Sequence, residues 1–201
     1  CVAEKNNTSS IINGCNNLTS VIFGDSVEVV RGAAFAWCNS LTDVQFSKSI
    51  KIIESEAFMY CALTSIEIPD NVIEIGTAAF ASCKQLKSVK IGKGLSNLDR
   101  AVFSGCESLE TVYFNAENCN DLLDWGSDLF SDCGIINGIT ITIGNSAKRV
   151  PDNFCNYMSS SNIDAKNTKI IKIVFEENST CEYIGKQAFV YCTDIVDIDI
   201  P

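Results

Sequence analysis

Apolar and polar positions alternate along most of the chain in one recurring frame, A-F-x-x-C-x-x-L-x-x-V-x-(I/F), seen at residues 34–46 and again at 79–91. Its second half, as in Leu86, Val89 and Ile91, repeats every two residues, which predicts a short strand with one buried face. Gly24, Ser47, Pro69, Gly92 and Pro201 often follow such a strand. The two prolines have no backbone N–H and so end it in a turn. A second extended piece comes next, as in Val72 and Ile75. The segment Gly76, Ala79, Phe80, Cys83 then places its apolar residues at helical spacing, enough for about two turns.

Aligned on the aromatic, the frame recurs at Ile12, Phe35, Phe58, Phe80, Phe103, Phe130, Phe154 and Phe189, in steps of 23, 23, 22, 23, 27, 24 and 35 residues. Three residues further on stand Cys15, Cys38, Cys61, Cys83, Cys106, Cys133, Tyr157 and Cys192. Five residues before the aromatic stand Val30, Ile53, Ile75, Leu98, Trp125 and Ile184, with Val150 one residue closer to Phe154. One such unit cannot bury its own apolar face. Stacked copies can, and they align like residues into interior ladders. With neighbouring parallel strands about 4.8 Å apart, eight rungs give a rod on the order of 40 Å long.

The frame L-x-x-V-x-I-P-x-x-V-x-x-I-G-x-x-A-F-x-x-C resembles the BspA-type leucine-rich repeat, also called the treponemal or type-5 class. "IEIPDNVIEIGTAAFASC", residues 66–83, matches it almost position for position, and the resemblance covers about residues 11–201. It implies a repeat solenoid: a right-handed leucine-rich-repeat superhelix of short parallel strands and short helical turns, about eight rungs, in a single domain over 1–201. Residues 1–11 would form an N-terminal flank or partial cap. The resemblance also implies a secreted or surface-attached protein of a host-associated bacterium or parasitic protist, engaged in adhesion.

Composition narrows the chemistry. A formal charge of -10 and a pI near 4.4 argue against nucleic acid, which demands a basic face. Apolar runs are only a few residues long, so no membrane span is expected. The chain has no histidine, which removes the commonest general base and most zinc chemistry. With no P-loop and no G-x-S-x-G elbow either, neither an enzyme nor a cofactor is expected. The chain opens at Cys1 and stops within the frame at Pro201, so both ends read as processing boundaries of a larger protein.

For the cysteines of the frame, the turn shared with Phe and Ala favours buried thiols acting as small hydrophobes. Disulfides between neighbouring rungs suit in-register side chains poorly, and metal binding lacks a C-x-x-C pair or histidine. Cys1, Cys119, Cys155 and Cys181 stand outside the ladder. A Cys155–Cys181 bridge, a free Cys119 and a lipid-modified Cys1 are all compatible with the sequence.

Outward positions of the strands are the candidate binding face. Between the last two apolar positions stand Ile22, Gln45, Glu67, Lys90, Tyr113, Thr140, Val174 and Asp199. Two residues earlier stand Ser20, Asp43, Ser65, Ser88, Thr111, Gly138, Lys172 and Asp197. Lys90, Tyr113, Thr140, Lys172 and Val174 are the candidates there. Two insertions break the period, near 115–124 and over 158–169, and Ser160, Asn162 and Lys166 in the second are candidate contacts on an edge loop. Trp37 and Tyr60, each just before a ladder Cys, are expected side by side over the turns as a cover. Asp194, Asp197 and Asp199 form an acidic face without calcium-ligand spacing. The expected function is noncatalytic binding of an extracellular protein or glycan ligand; the alternative is a structural spacer with no ligand of its own. The last rung, 195–201, leaves strand edges for further repeats, a cap or end-to-end self-association.

Overall fold

The computed structural model describes residues 12–122, 128–156 and 168–200. The alternating halves of the frame form the strands β1 (Ser20–Ile22), β3 (Asp43–Gln45), β5 (Ser65–Ile68), β7 (Ser88–Ile91), β9 (Thr111–Phe114), β10 (Ile139–Ile143), β12 (Ile170–Phe175) and β14 (Asp197–Asp199). Between them lie the two-residue strands β2 (Val29–Val30), β4 (Ile52–Ile53), β6 (Glu74–Ile75), β8 (Asn97–Leu98), β11 (Arg149–Val150) and β13 (Tyr183–Ile184). All pairings are parallel. One six-stranded sheet runs β5-β7-β9-β10-β12-β14, with β1 and β3 as a separate pair, and the short strands form β2-β4-β6-β8 and β11-β13. The apolar residue of each pair points in; in β5 both Ile66 and Ile68 are buried while Ser65 and Glu67 are exposed.

The third side of each rung differs from expectation. No helix forms among the described residues; the A-F-x-x-C segments are successive tight turns. The cause is two left-handed residues per rung, four apart. One row holds Ala33, Glu56, Ala78, Ala101, Asp128, Asn153 and Gln187. The other holds Gly14, Trp37, Tyr60, Ser82, Gly105, Asp132 and Tyr191. A left-handed residue interrupts right-handed winding, so alternate amides turn toward the next rung. Ala33, Phe35 and Trp37 donate their N–H groups to the carbonyls of Ser55, Ala57 and Met59. The amides between them, Ala34, Ala36 and Cys38, close turns onto Arg31, Ala33 and Phe35. Backbone partners that a helix would supply within one segment come here from the neighbouring rung and from these turns.

Inside, Phe35, Phe58, Phe80, Phe103 and Phe130 form a stack of nearly parallel rings with centroids 5.2, 5.4, 5.8 and 6.0 Å apart. Each such contact adds about 0.5–1.5 kcal/mol beyond the area buried. Beside it runs a ladder of thiols that do more than fill space. Cys61 donates its S–H to the Phe35 carbonyl at 3.2 Å, Cys83 to Phe58 at 3.2 Å, Cys106 to Phe80 at 3.3 Å and Cys133 to Phe103 at 2.9 Å. The first rung fits the same scheme, with Cys38 on the Ile12 carbonyl. Burial pushes the Cys61, Cys83 and Cys106 thiols well up, so they stay protonated and able to donate. The described cysteines are free thiols, Cys155 and Cys181 among them.

The seventh rung departs from its sequence alignment by one residue. Asn153 takes the left-handed position and its N–H reaches Lys186, as Ala33 reaches Ser55. Phe154 therefore occupies the alanine slot and meets Phe130 edge-on at 86°. Cys155 occupies the ring slot, and Cys192 Sγ lies 4.0 Å from its carbonyl. Tyr157, aligned with the ladder cysteines, lies outside the described residues. The donor to the Phe130 carbonyl is instead the Thr168 hydroxyl, at 2.8 Å and buried. At the last rung Phe189 and Cys192 hold their expected slots but are only half-buried.

The first insertion is built into the core as far as it is described. Ala116, Cys119 and Leu122 are buried, and burial pushes the Cys119 thiol up to about 12. Asn115 caps the Ser146 amide through its side-chain oxygen. Asp121 accepts hydrogen bonds from the Asp152 N–H and from Arg149, which together hold its carboxyl below the usual range. Residues 115–122 thus tie neighbouring rungs together; Trp125 lies outside the described residues.

Candidate binding face

Strand pairing fixes which outward residues stand side by side. One row is Ser65, Ser88, Thr111, Thr140, Lys172 and Asp197. The other is Glu67, Lys90, Tyr113, Thr142 and Val174, with Asp199 paired to Val174 along the backbone. Thr140 therefore belongs to the first row, and Thr142 takes the place beside Tyr113 that the sequence frame assigned to Thr140. The slip has a visible origin: β10 pairs two residues further along, with Ile141 and Ile143 as its inward pair, and the frame gave no marker between two equivalent alternating registers.

Lys90, Tyr113, Lys172 and Val174 lie on one continuous surface. Lys90 Nζ sits 2.6 Å from Glu67 Oε1, with both side chains more than half exposed. Such a pair adds little to stability and is free to exchange partners. Tyr113 is half-buried and committed to structure: its hydroxyl donates to Glu176 Oε2 at 3.0 Å, and the same oxygen accepts from the Asn145 N–H at 2.9 Å. Lys172 is exposed and Val174 half-buried. A shallow depression of about 370 Å³ runs across β5, β7, β9 and β10, lined by Ser65, Glu67, Ser88, Lys90, Thr111, Tyr113 and Thr142. Ser160, Asn162 and Lys166 lie outside the described residues.

Small hydroxyls, one ion pair and one pinned tyrosine on a flat sheet offer many weak, regularly spaced contacts. They offer no nucleophile held against a base. No group of three or more metal-ligating side chains gathers among the described residues, and no helix there is long and apolar enough to cross a membrane.

A feature of the turn side was only half legible. Trp37 and Tyr60 do stand side by side, with ring centroids 3.9 Å apart and planes 18° from parallel. Both are left-handed, Trp37 at φ 61° and Tyr60 at φ 60°, and Trp37 remains 49% exposed. Glycine at 14 and 105 in the same row was the available clue to that backbone.

The sequence profile of the BspA type leucine rich repeat region matches six copies, over residues 8–137 and 117–201. Among solved structures, the chain is similar to the T. pallidum leucine rich repeat protein TpLRR, with 18% identity, 94% of this chain and 70% of that one covered, and a TM-score of 0.57. It is similar to a leucine-rich repeat protein from Eubacterium ventriosum at 19% identity, covering 91% and 44% of the two chains with a TM-score of 0.65. The pneumococcal vaccine antigen PcpA matches at 20% identity, 91% and 51% coverage and a TM-score of 0.55. The chain thus spans about half the length of the last two. No curated protein sequence matches it. At these identities the structural likeness speaks to the fold.

Proposed function

We propose that this chain, which belongs to the BspA-type leucine-rich-repeat family, is a noncatalytic binding module of a secreted or surface-attached protein. Its ligand is an extracellular protein or glycan of a host or neighbouring cell, met across the six-stranded sheet. The observation that carries this reading is the pair of outward rows, which hold Ser88, Lys90, Thr142, Lys172 and Val174 in a fixed parallel register on a rigid, fully packed support. Preorganised side chains lose little freedom on binding, so a broad, shallow contact is enough for recognition. The family assignment favours a binding or display role over catalysis.

Surface plasmon resonance of the 201-residue chain over immobilised extracellular-matrix proteins, plasma proteins and host glycans tests it. Saturable binding to at least one surface is expected. The triple variant Lys90→Glu, Thr142→Lys, Lys172→Glu, which leaves every buried position intact, should weaken that binding at least about tenfold. A chain that binds none of these surfaces is a spacer for other domains. Binding that survives the triple variant lies elsewhere on the molecule.

A further inference from the structure

The turn side carries an aromatic step whose chemistry the fold does not require. Left-handed backbone suits Gly, Asn and Asp and strains bulky residues, and the row obeys this at Gly14, Gly105 and Asp132. Trp37 and Tyr60 break it, and about half of the Trp37 surface stays in solvent, so burial does not account for the choice. Tyr60 covers one face of the indole. The other face looks along the row to Gly14, which has no side chain. A Cβ at position 14 would meet no atom of the described residues within 4 Å. Beside Trp37 the row thus leaves a slot one rung wide with an indole as its wall.

Among the described residues the rim of that slot is polar and uncharged. The residue after each ladder cysteine forms its own row, and there Asn16 and Asn39 are in register, both exposed. Asn13 is exposed beside Gly14. Each amide offers two donors and a two-lone-pair acceptor. The Trp37 indole N–H and the Tyr60 hydroxyl make no hydrogen bond among the described residues. Toward Tyr60 the row turns apolar at Ala62; the next charges are Lys84 and Glu107, 2.7 Å apart and paired with each other.

We infer that the slot between Gly14 and Trp37 is a second binding site, separate from the sheet face, for one pyranose ring of a neutral glycan. A pyranose has a flat C–H face that lies on an indole and a rim of hydroxyls that both donate and accept, which amides and a phenol match. Among the described residues no lysine or arginine stands in the Asn16–Asn39 row to receive a sulfate or carboxylate, and the net charge of -10 disfavours polyanionic glycans. No aspartate or glutamate stands in the Asn16–Asn39 row beside the indole to accompany a bound cationic side chain.

Isothermal titration of the 201-residue chain with cellohexaose, maltohexaose, xylohexaose, mannohexaose and chitohexaose tests the site, with heparin, polyproline and an arginine-rich peptide alongside. One-to-one binding of at least one neutral hexasaccharide is expected. Trp37→Gly removes the ring and suits the backbone, and should weaken binding at least about tenfold with the unfolding midpoint maintained. Gly14→Tyr leaves the ring in place and fills the slot, and should cause the same loss. The sheet variant Lys90→Glu/Lys172→Glu separates the two faces: a sugar lost there but kept by Trp37→Gly would sit on the sheet and overturn the proposal. The proposal is overturned if none of the five sugars binds, if only heparin or a peptide binds, or if Gly14→Tyr binds undiminished.

Discussion

The rungs from Phe35 to Cys106 and the described residues Asn153–Asn156 and Thr168 fill equivalent slots with different letters. In the first set every ring slot holds Phe and every donor slot holds Cys. In the second, Cys155 fills the ring slot, Phe154 fills the alanine slot and Thr168 supplies the donor. What the two share is a set of geometric demands: a residue that accepts left-handed backbone, an apolar filler, and an X–H group aimed at the carbonyl one rung back. Residue identity matters only through those demands, and the repeat tolerates any side chain that meets them.

The sharpest way to break this comparison is to empty the ring slot in both places. Phe80→Ala should cost about 3–5 kcal/mol by urea denaturation, as a large side chain lost from a closed stack. Cys155→Ala, in the same slot, should cost less than half as much; equal losses would mean that the slots are not equivalent. Next comes the donor. Thr168→Val keeps the shape but leaves the buried Phe130 carbonyl unpaired, at a cost of about 1–3 kcal/mol, and Thr168→Cys should restore most of it. If Val and Cys behave alike, the hydroxyl bond carries no weight.

The thiols of the regular rungs add a pH dependence. Their folded values lie well above the ordinary 9.0, so the folded chain keeps protons that the unfolded chain releases. Stability from this source is therefore full below pH 9 and is lost as pH rises through and beyond it, by about 1.4 kcal/mol per thiol per pH unit. The urea midpoint in reducing buffer should be level at neutral pH and fall steeply once the medium is alkaline; a level midpoint at pH 10.5 would mean that the buried thiols ionise without resistance. The smallest effect should come from the left-handed row. Ala78→Gly relieves φ 56° and should gain up to about 1 kcal/mol. Ala79→Gly, one residue away and not left-handed, should lose about that much.

The period, the strands and the Phe and Cys ladders were legible because each rests on side-chain alternation or identity. The turns were not, because apolar residues three apart suit a helix and a chain of tight turns equally. Gly14, Gly105, Asp128, Asp132 and Asn153 at the left-handed positions were the signal that separates them. The shift at Val150 was visible as a spacing one short of the others; restoring five residues from Val150 leads to Cys155, where the structure places the ring slot. On the sheet face, the outward placement of Lys90, Tyr113, Lys172 and Val174 was legible from period alone, while the place of Thr142 beside Tyr113 was not, because the stretch between Cys133 and β10 does not keep the usual length. The open face of Trp37 needed coordinates, since it depends on what is missing at position 14 one rung away.

The thiol ladder has a consequence beyond packing. Its buried sulfurs, from Cys38 to Cys155, are shielded from oxidants while the rungs stay closed, yet one transient opening in an oxidising milieu exposes several neighbouring thiols at once. Mispaired bridges formed then would prevent reclosure, so each opening leaves a chemical record. Molecules of this design age by discrete events rather than gradually, and their working lifetime is set by how rarely the rungs part.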